Sequence, residues 1–249
     1  MPYSIHPKDG KRRLHTDDPT ASLYLYSLKS LPQFLTLRDD FLDYTEEQGW
    51  VAKKDVEGMV ETPPAIIGGR ECTQNRDVGF YSDEVKSYNY NSRKPKCTPL
   101  SPSMRGILDW ANSQLLEGVK FGEVNGERYT TPPIQFNGIL VNIYRAERFD
   151  SIGAHSDAHI NPDVGVFGIS MGATRQFRVH SFKFDKKTVD IPVKDGWAMW
   201  MTGRFQEKSK HSIQPQKRFV KALKGYERGD RVSLTFRCHT VVNGSEVVA

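Results

Sequence analysis

From Ile134 to the C-terminus the chain is written in short apolar or alternating pieces: IQFNGILVNIY, VGVFGISMG, RQFRVHSFKF, VDIPV, GWAMWMT and RVSLTFRCHTV, each closed by turn residues. Pieces of this length and composition are strands, and so many in succession close into a β-sandwich or jelly roll. The sequence ahead of them reads differently. Residues 1–20 are polar, charged and proline-containing, which predicts a flexible lead-in. From Leu31 to Gln48, the residues Leu31, Phe34, Leu35, Leu37, Phe41, Leu42 and Tyr44 recur at spacings of three and four, which predicts an amphipathic helix closed by Gly49. Between Val51 and Pro102 the pattern breaks into Pro-, Gly-, Asn- and Arg-rich fragments such as TPPAIIGGR and KSYNYNSRKPKCTP, which predict loops and hairpins. Ser103 is placed to cap a second helix reaching about Glu117, with Ile107, Leu108, Ala111 and Leu115 on one face and Gly118 at its end. The fold expected is therefore α+β, in three parts: a lead-in over 1–20, N-terminal helices and loops over 21–133, and a jelly-roll core over 134–249. Residues 21–249 are expected to form one domain.

A chain of 249 residues can bury a sizeable core, and 37% hydrophobic with 26% charged residues is a globular composition. No apolar run approaches the roughly 20 residues of a spanning helix, and the basic N-terminus is followed by no apolar signal region, so an intracellular protein without membrane contact is expected. Cys72, Cys97 and Cys238 are odd in number and lack C-x-x-C spacing, which argues against a disulfide framework or a zinc ribbon. A net charge of +5 and a pI near 9.0 are compatible with a polyanionic partner but do not require one. Nothing points to an obligate protein partner, and a monomer is expected.

Within the strand-rich half, His155-Ser156-Asp157 places an imidazole and a carboxylate two residues apart, on one side of an extended stretch. His211, just beyond GWAMWMT, is a candidate third ligand. Two histidines and one carboxylate form the facial triad of non-haem Fe(II) oxygenases, which leaves positions open for co-substrate and O2. An H-x-D triplet alone is equally a solvated turn. Arg231-Val-Ser-Leu-Thr-Phe-Arg237 adds a strand whose Arg231, Ser233, Thr235 and Arg237 share a face. Inward-facing guanidiniums are costly unless they meet anions, and the Arg fork suits a dicarboxylate. The competing reading is an edge strand with solvated arginines.

Over Ile134–His239 the sequence resembles the AlkB-type 2-oxoglutarate/Fe(II) dioxygenases. The resemblance rests on Asn142-Ile-Tyr144, His155-Ser-Asp157, Ile169-Ser-Met-Gly-Ala173, Phe177, His211-Ser-Ile-Gln-Pro215 and Arg231-Val-Ser-Leu-Thr-Phe-Arg237, in that family's order. Upstream, Tyr88-Asn-Tyr90-Asn-Ser92 followed by a Pro-rich stretch and a helix looks like the family's nucleotide-recognition lid. The resemblance implies a double-stranded β-helix core holding Fe(II) through His155, Asp157 and His211, with 2-oxoglutarate and O2 as co-substrates. It further implies that Asn142 and Tyr144 hydrogen-bond 2-oxoglutarate, that Arg231 pairs with its distal carboxylate, and that Arg237 lies near its metal-bound end and Asp157. The implied activity is oxidative demethylation of alkylated bases in DNA or RNA, giving succinate, CO2 and formaldehyde. Tyr88, Tyr90 and His159 are candidates for the base pocket, and Arg70, Arg76 and Lys94 for phosphate contacts.

The chain departs from that family in three places. Where several demethylases carry a second acid two residues after the metal-binding Asp, this sequence reads Asp157-Ala158-His159, so either His159 replaces that carboxylate, and with it the attraction for a cationic methylated base, or the register shifts here. The Arg-x-Asn of the co-substrate strand is Arg231-x-Ser233, which keeps a hydroxyl but loses an amide. The stretch between His211 and Arg231 is long and basic, with Lys217, Arg218, Lys221, Lys224 and Arg228. Two other readings stand beside the nucleic-acid demethylase. One is an oxygenase of the same family acting on a protein, lipid or small molecule, and the other is an inactive nucleic-acid-binding module. The intact triad and both arginines argue against the last.

Overall fold

The structure is a computed structural model that describes residues 12–15, 21–29, 32–45, 49–52, 65–67, 69–72, 74–88, 95–121, 123–124, 127–128, 135–157, 164–181, 188–216, 229–239, 241–242 and 245–246. Two antiparallel sheets dominate it. Their strands are β1 (Arg12–His15), β2 (Ala21–Ser27), β3 (Asp77–Tyr81), β4 (Gly138–Tyr144), β5 (Ile152–His155), β6 (Val166–Gly172), β7 (Arg175–Ser181), β8 (Thr188–Val193), β9 (Trp197–Gly203), β10 (Ser209–Ile213) and β11 (Arg231–Arg237). Among the described residues the larger sheet has the order β1-β2-β9-β6-β11-β4-β3 and the smaller one β5-β10-β7-β8. From β4 to β11 the chain passes from one sheet to the other at every step except β7 to β8, which is jelly-roll architecture.

The period of two along each strand decides what faces what. On the large sheet, Ile139, Val141, Ile143, Phe167, Ile169, Met171, Ala198, Trp200, Val232, Leu234 and Phe236 form one core with residues of two helices, α1 (Pro32–Phe41) and α2 (Pro102–Phe121). The opposite face turns toward the small sheet, where Tyr144, Val166, Met199 and Met201 join Phe177, Val179, Ile191, Val193 and Ile213 in a second core. Both faces of β4 and β6 are buried throughout, which explains why their sequences are near-continuous apolar runs.

The first half departs from expectation in several ways. The first helix ends at Phe41 rather than Gln48, and Leu42–Thr45 pairs with Gly49–Ala52 as a hairpin. Strand-favouring Tyr44, Thr45, Trp50 and Val51 override the helical spacing, and Gly49 opens the return strand instead of capping a helix. Phe34 and Leu37 enter the core while Leu35 is exposed. The second helix begins at Pro102 and is capped by Ser101, whose Oγ accepts from the Met104 N–H at 3.3 Å, so Ser103 lies two residues too late to cap. Gly118 sits inside this helix, at a cost of about 1 kcal/mol that the surrounding helix tolerates. Asp77–Tyr81, within the stretch expected to be loops and hairpins, is the outer strand beside β4, and Ala65–Ile67 pairs with Arg70–Cys72. Arg12–His15, inside the expected lead-in, pairs with β2. Cys97 and Cys238 are free thiols. Among the described residues no helix is long and apolar enough to cross a membrane.

Candidate metal centre

His155 closes β5 and stands directly opposite His211 on β10. The pairing is irregular between Ile152 and His155, a local bulge of the kind that re-aims a side chain. The two rings approach to 4.3 Å between centroids. Asp157 follows two residues on, and one ligand atom from each of His155, Asp157 and His211 lies within 4.8 Å of the others. The His211 Nε2 is 3.6 Å from Asp157 Oδ2. The His155 Nδ1 lies 2.8 Å from the Gly153 carbonyl, which can only accept, so the proton sits on Nδ1 and the Nε2 lone pair is left for a metal. Phe177 stacks on His211 at 5.3 Å, fixing the ring plane.

Electrostatics leave the three groups ready to ligate at neutral pH. Burial lowers the pKa of His155 and pushes that of His211 down to about 4, so both rings are neutral. Burial pushes the Asp157 carboxyl upward, but Arg237, His211, His155 and Arg76 together outweigh it and hold the carboxyl below its usual range. Neutral imidazoles and an ionised carboxylate are the states a divalent iron requires. The donor set therefore fits the ion.

The turn delivering β5 is pinned by charge. Arg145 reaches Asp77 at 3.2 Å and Asp230 at 3.1 Å, and Arg148 reaches Asp77 at 2.7 Å and Asp150 at 2.5 Å. Asp157 is held from the other side by the short helix α3 (Phe205–Lys208), where Gln206 Oε1 accepts the Asp157 backbone N–H at 3.0 Å.

The facing wall belongs to the large sheet. Asn142 and Tyr144 of β4 lie opposite Ser233 and Arg231 of β11, and Ser170 of β6 lies opposite Ser233 from the other side. Arg231 is 1% exposed; its Nε donates to Ser170 Oγ at 2.8 Å and its Nη2 to Ser233 Oγ at 3.2 Å. Its Nη1 has no hydrogen-bond partner among the described residues, and its guanidinium lies 5.3 Å from the Tyr144 ring centre. Arg237 donates through Nη2 to Asp157 Oδ1 and through Nη1 to Tyr88 Oη at 2.7 Å. An unfilled donor on a buried guanidinium, on the wall facing three converging candidate ligands, fits an anionic co-substrate.

The remaining sequence candidates divide. Tyr88 is buried beside Phe80, with ring centroids 4.5 Å apart, and its hydroxyl faces Arg237, so its ring is packed rather than presented as an open stacking surface. The His239 ring meets its edge at 4.8 Å; Gly138 makes room for that ring, since a Cβ there would come within 2.7 Å of it. Arg76, expected at the phosphate backbone, is buried and donates to Asn142 Oδ1 at 2.8 Å, so its charge serves the site interior. Arg70 is exposed. Tyr90, Lys94 and His159 lie outside the described residues, as does the basic stretch 217–228. Ser170, Gln206 and Arg175 were not singled out from sequence. A period-two signal was available for Arg175, which shares a face with the apolar Phe177 and Val179 in RQFRV.

Two histidines and an aspartate on one sheet, facing an arginine-bearing wall on the other, define the class as a jelly-roll oxygenase of the non-haem iron type. Residues 34–237 match the family model of the 2OG-Fe(II) oxygenase superfamily. The chain belongs to that superfamily and is a 2-oxoglutarate- and Fe(II)-dependent dioxygenase, with O2 as the second co-substrate. The structure of OsALKBH1 has a similar fold, with a TM-score of 0.54 at 16% identity, the match covering 91% of this chain and all of that one. No curated protein matches the chain.

Proposed function

We propose that the protein oxidatively demethylates alkylated bases in DNA or RNA, with His155, Asp157 and His211 as the iron ligands. The observation that carries the site assignment is the opposition of the His155–Asp157–His211 cluster to the buried Arg231, whose Nη1 has no partner among the described residues. The substrate class is supported by the ordered AlkB-type motifs, by the fold shared with OsALKBH1 and by the net charge of +5.

When bound, Fe(II) with 2-oxoglutarate and O2 supplies an oxidant for a substrate C–H bond, yielding succinate and CO2 alongside the hydroxylated product. The chain's residues place and shield that chemistry. Arg231, steadied by Ser170 and Ser233, pairs with the distal carboxylate, and Asn142 and Tyr144 line the path between the walls. Arg237 orients Asp157 and links it to Tyr88. Phe177 screens His211 from water. On an N-methyl group the hydroxylated product releases formaldehyde and leaves the bare base. Exposed Arg70 is the phosphate contact in this reading, and Tyr90 and His159 belong to the base pocket.

The test offers Fe(II)-loaded protein and 2-oxoglutarate methylated DNA, methylated RNA and methylated peptide pools, with succinate and formaldehyde followed by mass spectrometry. Formaldehyde above the substrate-free level is expected with a nucleic acid and none with the Asp157→Ala variant. Turnover confined to peptides would move the substrate class to protein, and unchanged turnover in Asp157→Ala would remove that residue from the site.

A further inference from the structure

Arg175 stands on β7 with Phe177 and Val179, and all three are buried on the face turned toward the large sheet. Only 2% of Arg175 is exposed. Its Nη2 donates to the Gly229 carbonyl at 2.8 Å and to the Tyr144 carbonyl at 3.3 Å, while Nε and Nη1 have no hydrogen-bond partner among the described residues. Tyr144 is the residue paired with Arg231 in the β4–β11 register, so Arg175 meets the backbone of the same residue whose ring lies beside Arg231. The small sheet therefore sends one buried guanidinium, and the large sheet another, to the same end of the barrel.

Among the described residues no carboxylate completes this pair. Asp230 and Asp150 attract Arg175 from a distance, but their oxygens are engaged elsewhere. Asp230 accepts from Ala146 N at 2.8 Å and from Arg145 at 3.1 Å, and Asp150 accepts from Arg145 N and Arg148. Burial, then the charge of Arg231, lowers the Arg175 pKa to about 10, which still leaves it a cation at neutral pH. Two desolvated cations with three unfilled nitrogens are costly unless an anion joins them. One carboxylate presents about four lone-pair sites, enough for donors from two guanidiniums.

We propose that Arg175 is a second cationic anchor for the distal carboxylate of 2-oxoglutarate and sets the preference for a dicarboxylate over a monocarboxylate 2-oxo acid. This rests on the assignment of Arg231 given above. Arg175 acts on selection of the co-substrate, where a purely structural clamp on Tyr144 and Gly229 would affect every 2-oxo acid alike.

The experiment measures binding of 2-oxoglutarate and of 2-oxopentanoate, which has the same chain length but no distal carboxylate, to the Mn(II)-loaded protein by calorimetry. Wild type, Arg175→Met, Arg175→Lys and Arg231→Met are compared. In Arg175→Met, 2-oxoglutarate is expected to weaken at least about ten-fold, as for a lost charge-assisted hydrogen bond, with 2-oxopentanoate unchanged. Arg175→Lys should fall between the two. Equal weakening of both acids, or of neither, overturns the proposal. Should Arg175→Met not fold, an unchanged ratio of the two affinities in Arg175→Lys does the same. Loss of discrimination in Arg231→Met but not in the Arg175 variants leaves the Arg231 assignment standing and removes Arg175, whereas a wild type that fails to discriminate the two acids removes the Arg231 assignment itself.

Discussion

Replacing Tyr88 by Phe removes one oxygen and leaves the ring packed against Phe80 and His239, so the change takes away a hydrogen bond while keeping the packing. That bond runs from Arg237 Nη1 to Tyr88 Oη at 2.7 Å, and Arg237 in turn holds Asp157. A hydrogen bond to a charged group contributes about 1.5–3 kcal/mol. Arg237 retains 16% side-chain exposure, so water can replace part of what is lost, and the lower end of that range applies. About 1.5 kcal/mol corresponds to roughly ten-fold in metal affinity, within the range expected for a group that orients a ligand from behind. Mn(II) titration of the chelator-stripped protein, with thermal melting as the folding control, reads this directly. Metal affinity equal to wild type in a fully folded Tyr88→Phe protein would show that Arg237 holds Asp157 without help from Tyr88.

Two further outcomes follow from the buried polar groups. His211 is held to about 4 against about 6.5 unfolded; the unfolded chain therefore takes up its proton first. Its contribution to stability is full above about pH 6.5 and is lost as pH falls toward 4, by about 3 kcal/mol at about 1.4 kcal/mol per unit. Urea midpoints of the metal-free protein should fall across that window, and His211→Gln should flatten the slope; identical slopes would assign the loss to other groups. Asn112 brackets Phe136, accepting its N–H at 2.8 Å and donating to its carbonyl at 3.0 Å. Asn112→Leu strands both backbone groups in the core and should cost about 2–5 kcal/mol in denaturant unfolding. A loss below about 1 kcal/mol would mean that water reaches Phe136.

What the sequence could reveal follows the range of each signal. The inward face of Arg231, Ser233, Thr235 and Arg237 is legible because a period of two is local and survives any partner. The strand Asp77–Tyr81 was hidden because it sits among Pro, Gly and Asn residues, and its strand identity comes from pairing with Ile139–Ile143 far along the chain. Helix ends were misplaced for a similar reason: Gly118 is tolerated within a helix, and Tyr44 and Thr45 follow their hairpin partners rather than the preceding spacing. Arginines were the least legible, since the same letter serves a solvated contact at Arg70 and a buried donor to Asn142 at Arg76. Only the register that brings β3 beside β4 separates them.

The two histidines and the aspartate all belong to the small sheet and the segment leaving it, whereas the groups assigned to the co-substrate belong mainly to the large one. Strands β4 and β6 of the large sheet are buried throughout, while on the small sheet Gln176, Arg178 and His180 of β7 are only partly covered. Cooperative opening of the small sheet alone would thus expose the proposed iron ligands while the large sheet and its helices stayed closed. Iron and 2-oxoglutarate, each bound to a different sheet and to one another, would act as a clasp between the halves. Metal exchange in this enzyme would then be governed by the breathing of four strands rather than by the stability of the whole fold.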